Sequence, residues 1–172
     1  VMGNSADDPV RQVLVASLAR PGGNVTGFTS MGSALAGKRL QLLKETLPLA
    51  SRVAILWDPN SAAVAHVRET RMAARVLGVQ LQSLEVWDPE DLENAFRAAG
   101  KERADALIVV IAGVVTNLRT PILDRAVKSR LPVMYTSSEF VLAGGVMSYG
   151  ADQSDQYRRG AAAYVDKILK GA

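Results

Sequence analysis

Apolar residues along this chain fall into short solid runs and helically spaced stripes, and the two kinds alternate. Val53-Ala-Ile-Leu-Trp57 is the clearest run, and its lack of any polar interruption predicts a strand buried on both faces of a sheet. The run stops at Asp58-Pro59-Asn60-Ser61. Asp is a preferred helix N-cap and Pro suits the first helical position, so the next helix is expected to begin at this turn. Ala63, Val67, Thr70, Ala74 and Leu77 then share one face, Arg68, Arg71 and Arg75 take the opposite one, and Gly78 closes the helix. The alternation continues through strand Leu81–Val86, a helix from Trp87-Asp88-Pro89 carrying Leu92, Phe96 and Ala99, and strand Ala106–Ile111. Helix Leu118–Arg130, strand Val133–Thr136, a short helix Ser137–Leu142, a turn at Gly144-Gly145 and strand Val146–Tyr149 follow. A last helix places Tyr157, Ala161, Tyr164 and Ile168 on one face.

The chain before Val53 is less regular. Val1 to Pro9 reads as a strand end followed by a polar loop, and Pro9 is expected to open a helix to about Arg20, broken by Pro21-Gly-Gly-Asn24. Val25-Thr-Gly-Phe-Thr29 reads as a short strand and Gly32 to Gly37 as a crossover. Ala36, Leu40, Leu43 and Leu47 form one helical apolar face, ended by Pro48. Strands alternating with helices of this length predict a parallel, Rossmann-like, doubly wound α/β sheet.

In such a sheet, ligands bind at the loops leaving the carboxyl ends of strands, and candidate chemistry is therefore sought there. The Trp57-Asp58-Pro59 turn recurs as Trp87-Asp88-Pro89, so both copies first solve the structural problem of joining a strand to a helix. They are not equivalent. Glu90, Asp91 and Glu93 fill the helix start after the second copy and repel anions, whereas Asn60 and Ser61 follow the first with no further acid. Asp58, Asn60 and Ser61 are thus candidates for an anionic group at a helix start, with simple N-capping by Asp58 as the alternative. Ser137, Ser138 and Glu139 offer hydroxyls and amides beyond a strand, or equally a Ser N-cap with an acid in the first turn. Asn4, Ser5 and Asp8 form a third polar loop whose acid suits an ammonium, with Asp8-Pro9 as a possible cap, and Tyr149 offers a ring or hydroxyl at the last strand end.

Composition narrows the picture. With 172 residues, 48% of them hydrophobic and 22% charged, the chain has the make-up of a globular domain. No apolar run approaches the roughly 18–20 residues of a membrane span. The net charge of +3 comes from scattered Lys and Arg, and at 5% aromatic residues the clustered, aromatic-interleaved patch of a nucleic-acid binder is missing. There are no cysteines and one histidine, His66, beside an apolar helix face, which leaves no thiol, disulfide, Cys-based zinc or paired-His chemistry. Neither a phosphate-loop fingerprint nor a nucleophile elbow occurs, so neither catalysis nor a cofactor is expected. Val1-Met2 opens with no basic or apolar leader, and the chain is expected to be a piece of something longer.

Several phrases resemble one family. Leu14-Val-Ala-Ser-Leu-Ala-Arg-Pro-Gly-Gly-Asn-Val-Thr-Gly27, Ala36-Gly-Lys-Arg-Leu-Gln-Leu-Leu-Lys-Glu45 and Arg52 to Asn60 are similar to bacterial ABC-transporter substrate-binding proteins. So are Glu139-Phe with Gly144-Gly-Val-Met-Ser-Tyr-Gly150, and Tyr164-Val-Asp-Lys-Ile-Leu-Lys-Gly171. The resemblance implies a type I periplasmic-binding-protein fold, two Rossmann-like lobes closing on a solute, with the chain supplying one lobe and remnants of the other. On that mapping residues 1–33 are the tail of the first lobe, 34–149 the second lobe, and 150–172 a helix returning towards the first. It also implies a periplasmic or extracytoplasmic setting, permease subunits as partners, and a small polar solute such as an amino acid. Asn60, Ser61 and Ser137 would hold its anionic end, and Asp8 or Glu139 a cationic one. The likeness breaks at Ile111-Ala-Gly-Val-Val115, where relatives carry a polar loop, so the pocket is expected to be more apolar there. An effector domain of a transcription regulator and a Rossmann-type enzyme share the fold and stand as alternatives.

Overall fold

The computed structural model describes residues 2–5, 9, 10, 13–152, 155, 158, 160 and 162–170, with 2–5 and Thr26 described by backbone alone. The chain divides into two units, residues 1–32 with 151–172, and residues 33–150. Among the described residues, no helix is long and apolar enough to cross a membrane.

In the first unit, β1 (Met2–Ser5) pairs in parallel with β2 (Thr26–Thr29), Asn4 opposite Phe28 and Ser5 opposite Thr29. The last helix, Ala162–Leu169, brings Tyr164 edge-on to Phe28 with ring centroids 5.0 Å apart. Gly160 also lies against that ring, where a Cβ would come within 2.6 Å of it. The expected apolar face of this helix is corrected in part. Tyr164 and Ile168 are exposed, none of the helix's described residues is buried, and Tyr157 and Ala161 lie outside the described residues. The helix expected over Pro9–Arg20 does not form among its described residues, since 13–20 are turns and bends. Val13 sits at φ 58°, and Ser17 Oγ accepts the Arg20 N–H at 3.0 Å while donating to the Arg20 carbonyl. A serine that satisfies nearby backbone groups in this way offers the chain a turn in place of a helix.

The second unit is built on period-two burial. Its elements are α1 (Ala36–Thr46), β3 (Arg52–Trp57), α2 (Ala63–Val76), β4 (Gln80–Glu85), α3 (Asp91–Lys101) and β5 (Ala106–Val109). A 3-10 turn (Gly113–Leu118), α4 (Arg119–Ser129), β6 (Val133–Tyr135), α5 (Ser138–Leu142) and β7 (Met147–Ser148) complete it. All five strands are parallel, in the order β4-β3-β5-β6-β7. Val53, Ile55 and Trp57 point to one core with α1 and α2, and Ala54 and Leu56 to the other with α3 and α4. β5 alternates in the same way, with Ala106 and Ile108 on the first face and Leu107 and Val109 on the second. A strand buried on both faces has no room for a polar side chain, which is why these runs are solid rather than alternating.

At the opposite end of the strands, Asp105 ties β3 to β5. One carboxylate oxygen accepts the N–H groups of Ser51 and Arg52 at 2.7 and 2.8 Å. Those backbone donors, Arg52's first and Ser51's next, lower its pKa below the ordinary carboxylate value. A depressed folded-state pKa stabilises the fold above the unfolded value and is lost as pH falls through the folded one. Urea titrations across the acid range should therefore show a shallower loss of stability on acidification for Asp105→Asn than for the wild type. In the core, Ile55→Ala should lower stability by about 2–5 kcal/mol in the same assay, because the sheet cannot collapse around the cavity.

Candidate functional site

The chain leaves β3 and re-enters the sheet at β4 on one side, while β5 lies on the other, so the strand order reverses between β3 and β5. The loops leaving these two strands lead to α2 on one face and α4 on the other, which opens a crevice at the carboxyl edge.

Asp58 closes the base of that crevice. The residue is 5% exposed, and its carboxylate accepts the Asn60 N–H through Oδ1 at 2.7 Å and the Val114 N–H through Oδ2 at 2.8 Å. It therefore joins the loop after β3 to the 3-10 turn after β5. The approach is so close that a Cβ at Gly113 would fall 1.8 Å from Oδ2, and Gly113 also has φ +57°, so only glycine fits both constraints. This corrects the expected N-cap. α2 begins at Ala63 rather than at Pro59, its N-cap Ala62 makes no side-chain bond, and Asp58 is drawn away to Val114. Capping passes to Ser61, whose hydroxyl donates to the Asp58 carbonyl at 2.7 Å and accepts the Ala63 N–H at 3.1 Å.

The second Trp-Asp-Pro turn has no such bridge. α3 starts at Asp91, not at Pro89, and the Asp91 carboxylate reaches back to the N–H groups of Trp87 and Asp88 at 2.9 and 3.1 Å. Trp57 is buried and donates from Nε1 to Ser83 Oγ at 2.8 Å, whereas Trp87 is half exposed.

The remaining candidates sort by strand. Thr136, just beyond β6, accepts the Ile111 N–H through Oγ1 at 2.9 Å, so β6 is laced to β5 as β5 is to β3. Ser137 caps α5 and accepts the Glu139 N–H at 3.3 Å. Ser138 and Glu139 are exposed, and Glu139 pairs with Arg119 at 3.8 Å. Arg119 lies over the Phe140 ring, itself stacked on Tyr135. Tyr149 is half-buried against the α1–α2 core, its N–H donating to the Tyr135 carbonyl at 3.0 Å. Asn4 and Ser5 lie in β1 of the other unit, and Asp8 lies outside the described residues. Asp58, Asn60, Ser61 and Ser137 therefore share the carboxyl edge of one sheet, with all three hydroxyl and carboxylate side chains already committed to backbone bridges and caps. His66 is buried on the inner side of α2.

Sequence reasoning missed Gly113 and Arg39. A lone glycine after an apolar strand was the available signal for Gly113. Arg39, in α1, is 1% exposed; its Nε donates to the Tyr149 carbonyl at 2.9 Å, and Nη1 and Nη2 have no hydrogen-bond partner among the described residues. Burial lowers its pKa to about 10, with the nearby Tyr149 opposing that shift. Lys38 and Arg39 are adjacent in the sequence, and only packing separates the exposed one from the buried one.

A family model for ABC transporter substrate binding proteins matches residues 1–172. The chain belongs to that family. A search of the curated proteins finds no match. Among solved structures, a conserved domain protein from Vibrio cholerae O1 biovar El Tor is similar at TM-score 0.83 and 25% identity, the match covering 99% of this chain and 64% of that one. The ABC domain from Streptococcus pneumoniae in complex with L-Trp is similar at TM-score 0.82 and 22% identity, covering 100% of this chain and 64% of that one. A ligand-free, open substrate-binding protein with adhesive properties from Clostridium difficile follows at TM-score 0.69 and 23% identity, covering 98% and 56%. These likenesses give the type I periplasmic-binding-protein fold expected from the sequence, and the chain spans less than two thirds of each relative's length.

Asp58→Asn puts an amide donor against one of the two N–H groups and should lower stability by about 1–3 kcal/mol, the range for a buried hydrogen-bond partner lost. Gly113→Ala should be at least as damaging. Chemical denaturation of each variant checks both, and a wild-type midpoint for Asp58→Asn would remove the bridge from the account of the crevice.

Proposed function

We propose that this chain is part of the solute-binding component of an ABC importer and captures a small polar solute, an amino acid or related carboxylate. The observation that carries this reading is the family match along residues 1–172. In this reading residues 1–33 are the tail of the first lobe, 34–149 the second lobe, and 150–172 a helix returning towards the first. An extracytoplasmic setting and permease subunits as partners belong to the same reading.

The carboxyl edge of the second unit supports the ligand class. Asn60 is exposed there, and its N–H is held in place by Asp58 while its side-chain amide carries no bond of its own among the described residues. A side-chain amide at the mouth of a crevice, beside a helix start with no acid in its first turn, suits a carboxylate. Ser61 and Ser137 present hydroxyls nearby along the same edge, though each already serves as a cap. The Streptococcus pneumoniae relative, described in complex with L-Trp, supports an amino acid as the first ligand to try. The reading asks for no cofactor and no catalytic group. A regulator's effector domain or a Rossmann-type enzyme has no observation of comparable weight behind it.

Thermal-shift measurements of the protein with a panel of amino acids, L-Trp included, test the proposal. A ligand at a hundredfold excess over Kd stabilises the folded state by about 2.7 kcal/mol. Asn60→Ala leaves the backbone N–H to Asp58 in place and should abolish the shift without lowering the ligand-free midpoint. No shift with any amino acid or small carboxylate at millimolar concentration would overturn the ligand assignment.

A further inference from the structure

Among the described residues, Arg39 is the one lysine or arginine buried in the core. It remains charged at neutral pH, since burial lowers its pKa only to about 10. Its surroundings do little to offset that charge. The ion pairs among the described residues all involve other side chains. Arg39 is the fourth residue of α1, near the positive end of the helix dipole, and the first turn of that helix contains no acid. Nε donates to the Tyr149 carbonyl at 2.9 Å, and Nη1 and Nη2 are buried with no hydrogen-bond partner among the described residues. A buried cation with unmet donors is destabilising until an acceptor completes it. Asp58 gives the contrast, a buried side chain whose two carboxylate oxygens each accept a backbone N–H.

We propose that the Arg39 guanidinium is the receptor for a monocarboxylate, a second anion subsite at the carboxyl end of β7. The Nε bond to Tyr149 orients the guanidinium and leaves its Nη1–Nη2 edge free. That edge offers two parallel N–H groups, the spacing that matches the two oxygens of a carboxylate. One guanidinium carries one charge, so a monoanion leaves the subsite neutral, whereas a dianion such as sulfate would bury an uncompensated charge. The subsite is separate from the Asn60 mouth. Tyr149 follows the edge strand β7, and Asn60 follows β3, three places away in the sheet. At about 4.8 Å per strand the separation is roughly 14 Å, too far for one carboxylate to reach both. Local opening of β7 gives the anion a way in. The strand is two residues long and, among the described residues, pairs with β6 alone, and short edge elements open at the low end of the local stability range. The occupant is a free carboxylate or the far end of a longer solute, and the subsite stands independently of the solute reading.

Sodium formate is the probe, with sodium chloride at equal concentration as the control for a general anion effect. In proton–nitrogen NMR spectra of the wild type, the Arg39 side-chain resonances, assigned by their loss in Arg39→Lys, should shift saturably with formate and not with chloride. The wild-type thermal midpoint should rise with formate by roughly 5–10 °C at a hundredfold excess over Kd. Arg39→Met removes the donors and Arg39→Lys keeps the charge without the fork, so neither should gain more from formate than from chloride. Competition between formate and an amino acid at the Arg39 resonances assigns the subsite to the solute's own carboxylate, and independent responses assign it to a free anion, with Arg39 the receptor in both cases. Unmoved Arg39 resonances, an equal response to chloride, or a formate rise kept by both variants overturns the proposal. A silent amino-acid panel with the formate response intact sinks the solute assignment alone, so the two failures are distinguishable.

Discussion

A parallel sheet with helices on both faces pulls apart where its strand order reverses, because the chains leaving the two central strands run to opposite sides. The Asp58 carboxylate resolves that conflict in this protein. By accepting one N–H from its own loop and one from the 3-10 turn after β5, it holds both lips of the crevice in a fixed relation. Thr136 repeats the device one strand further along, taking the Ile111 N–H. The edge at which a solute would meet the sheet is therefore stitched by side chains accepting from backbone.

That arrangement explains why the loop after β5 is apolar yet still in place. Ile111 and Val114 contribute through their amides, so their side chains are free to be hydrophobic. It explains Gly113 as well, since the Asp58 carboxylate occupies the space a Cβ would need. At the other edge of the strands Asp105 uses the same chemistry on the N–H groups of Ser51 and Arg52. β3 is thus pinned at both ends by carboxylates whose partners are backbone amides. Asp58, the buried one of the two, is held by hydrogen bonds rather than by an opposite charge and tolerates burial for that reason, while Asp105 is exposed.

The near-repeat of Trp-Asp-Pro shows how little local sequence says about role. Both copies end a strand and precede a helix by a few residues, and both helices start later than Pro would place them. Trp57 is buried beside the central strand and Asp58 bridges the switch point, while Trp87 and Asp88 follow the edge strand β4 and remain exposed. Only neighbours separate the two, because an edge strand has no second loop to bind.

What the sequence determined by itself was the order of elements and the sheet type. Runs such as Val53–Trp57 and Ala106–Val109 have no polar position, and only a sheet covered on both faces accommodates them. The long phrases shared with substrate-binding proteins were legible too, and the family followed from them. Tertiary structure decided the rest. The stretch after Pro9 turned into bends because Ser17 and Val13 found local alternatives, and Arg39 became buried while Lys38 stayed in solvent. Asp58 left its expected cap because one of its two donors, the Val114 amide, is 56 residues away along the chain and adjacent only once β3 and β5 pair. Hydrophobic periodicity is a local property and can be read from the chain, whereas a hydrogen bond between two loops exists only after the sheet has brought them together.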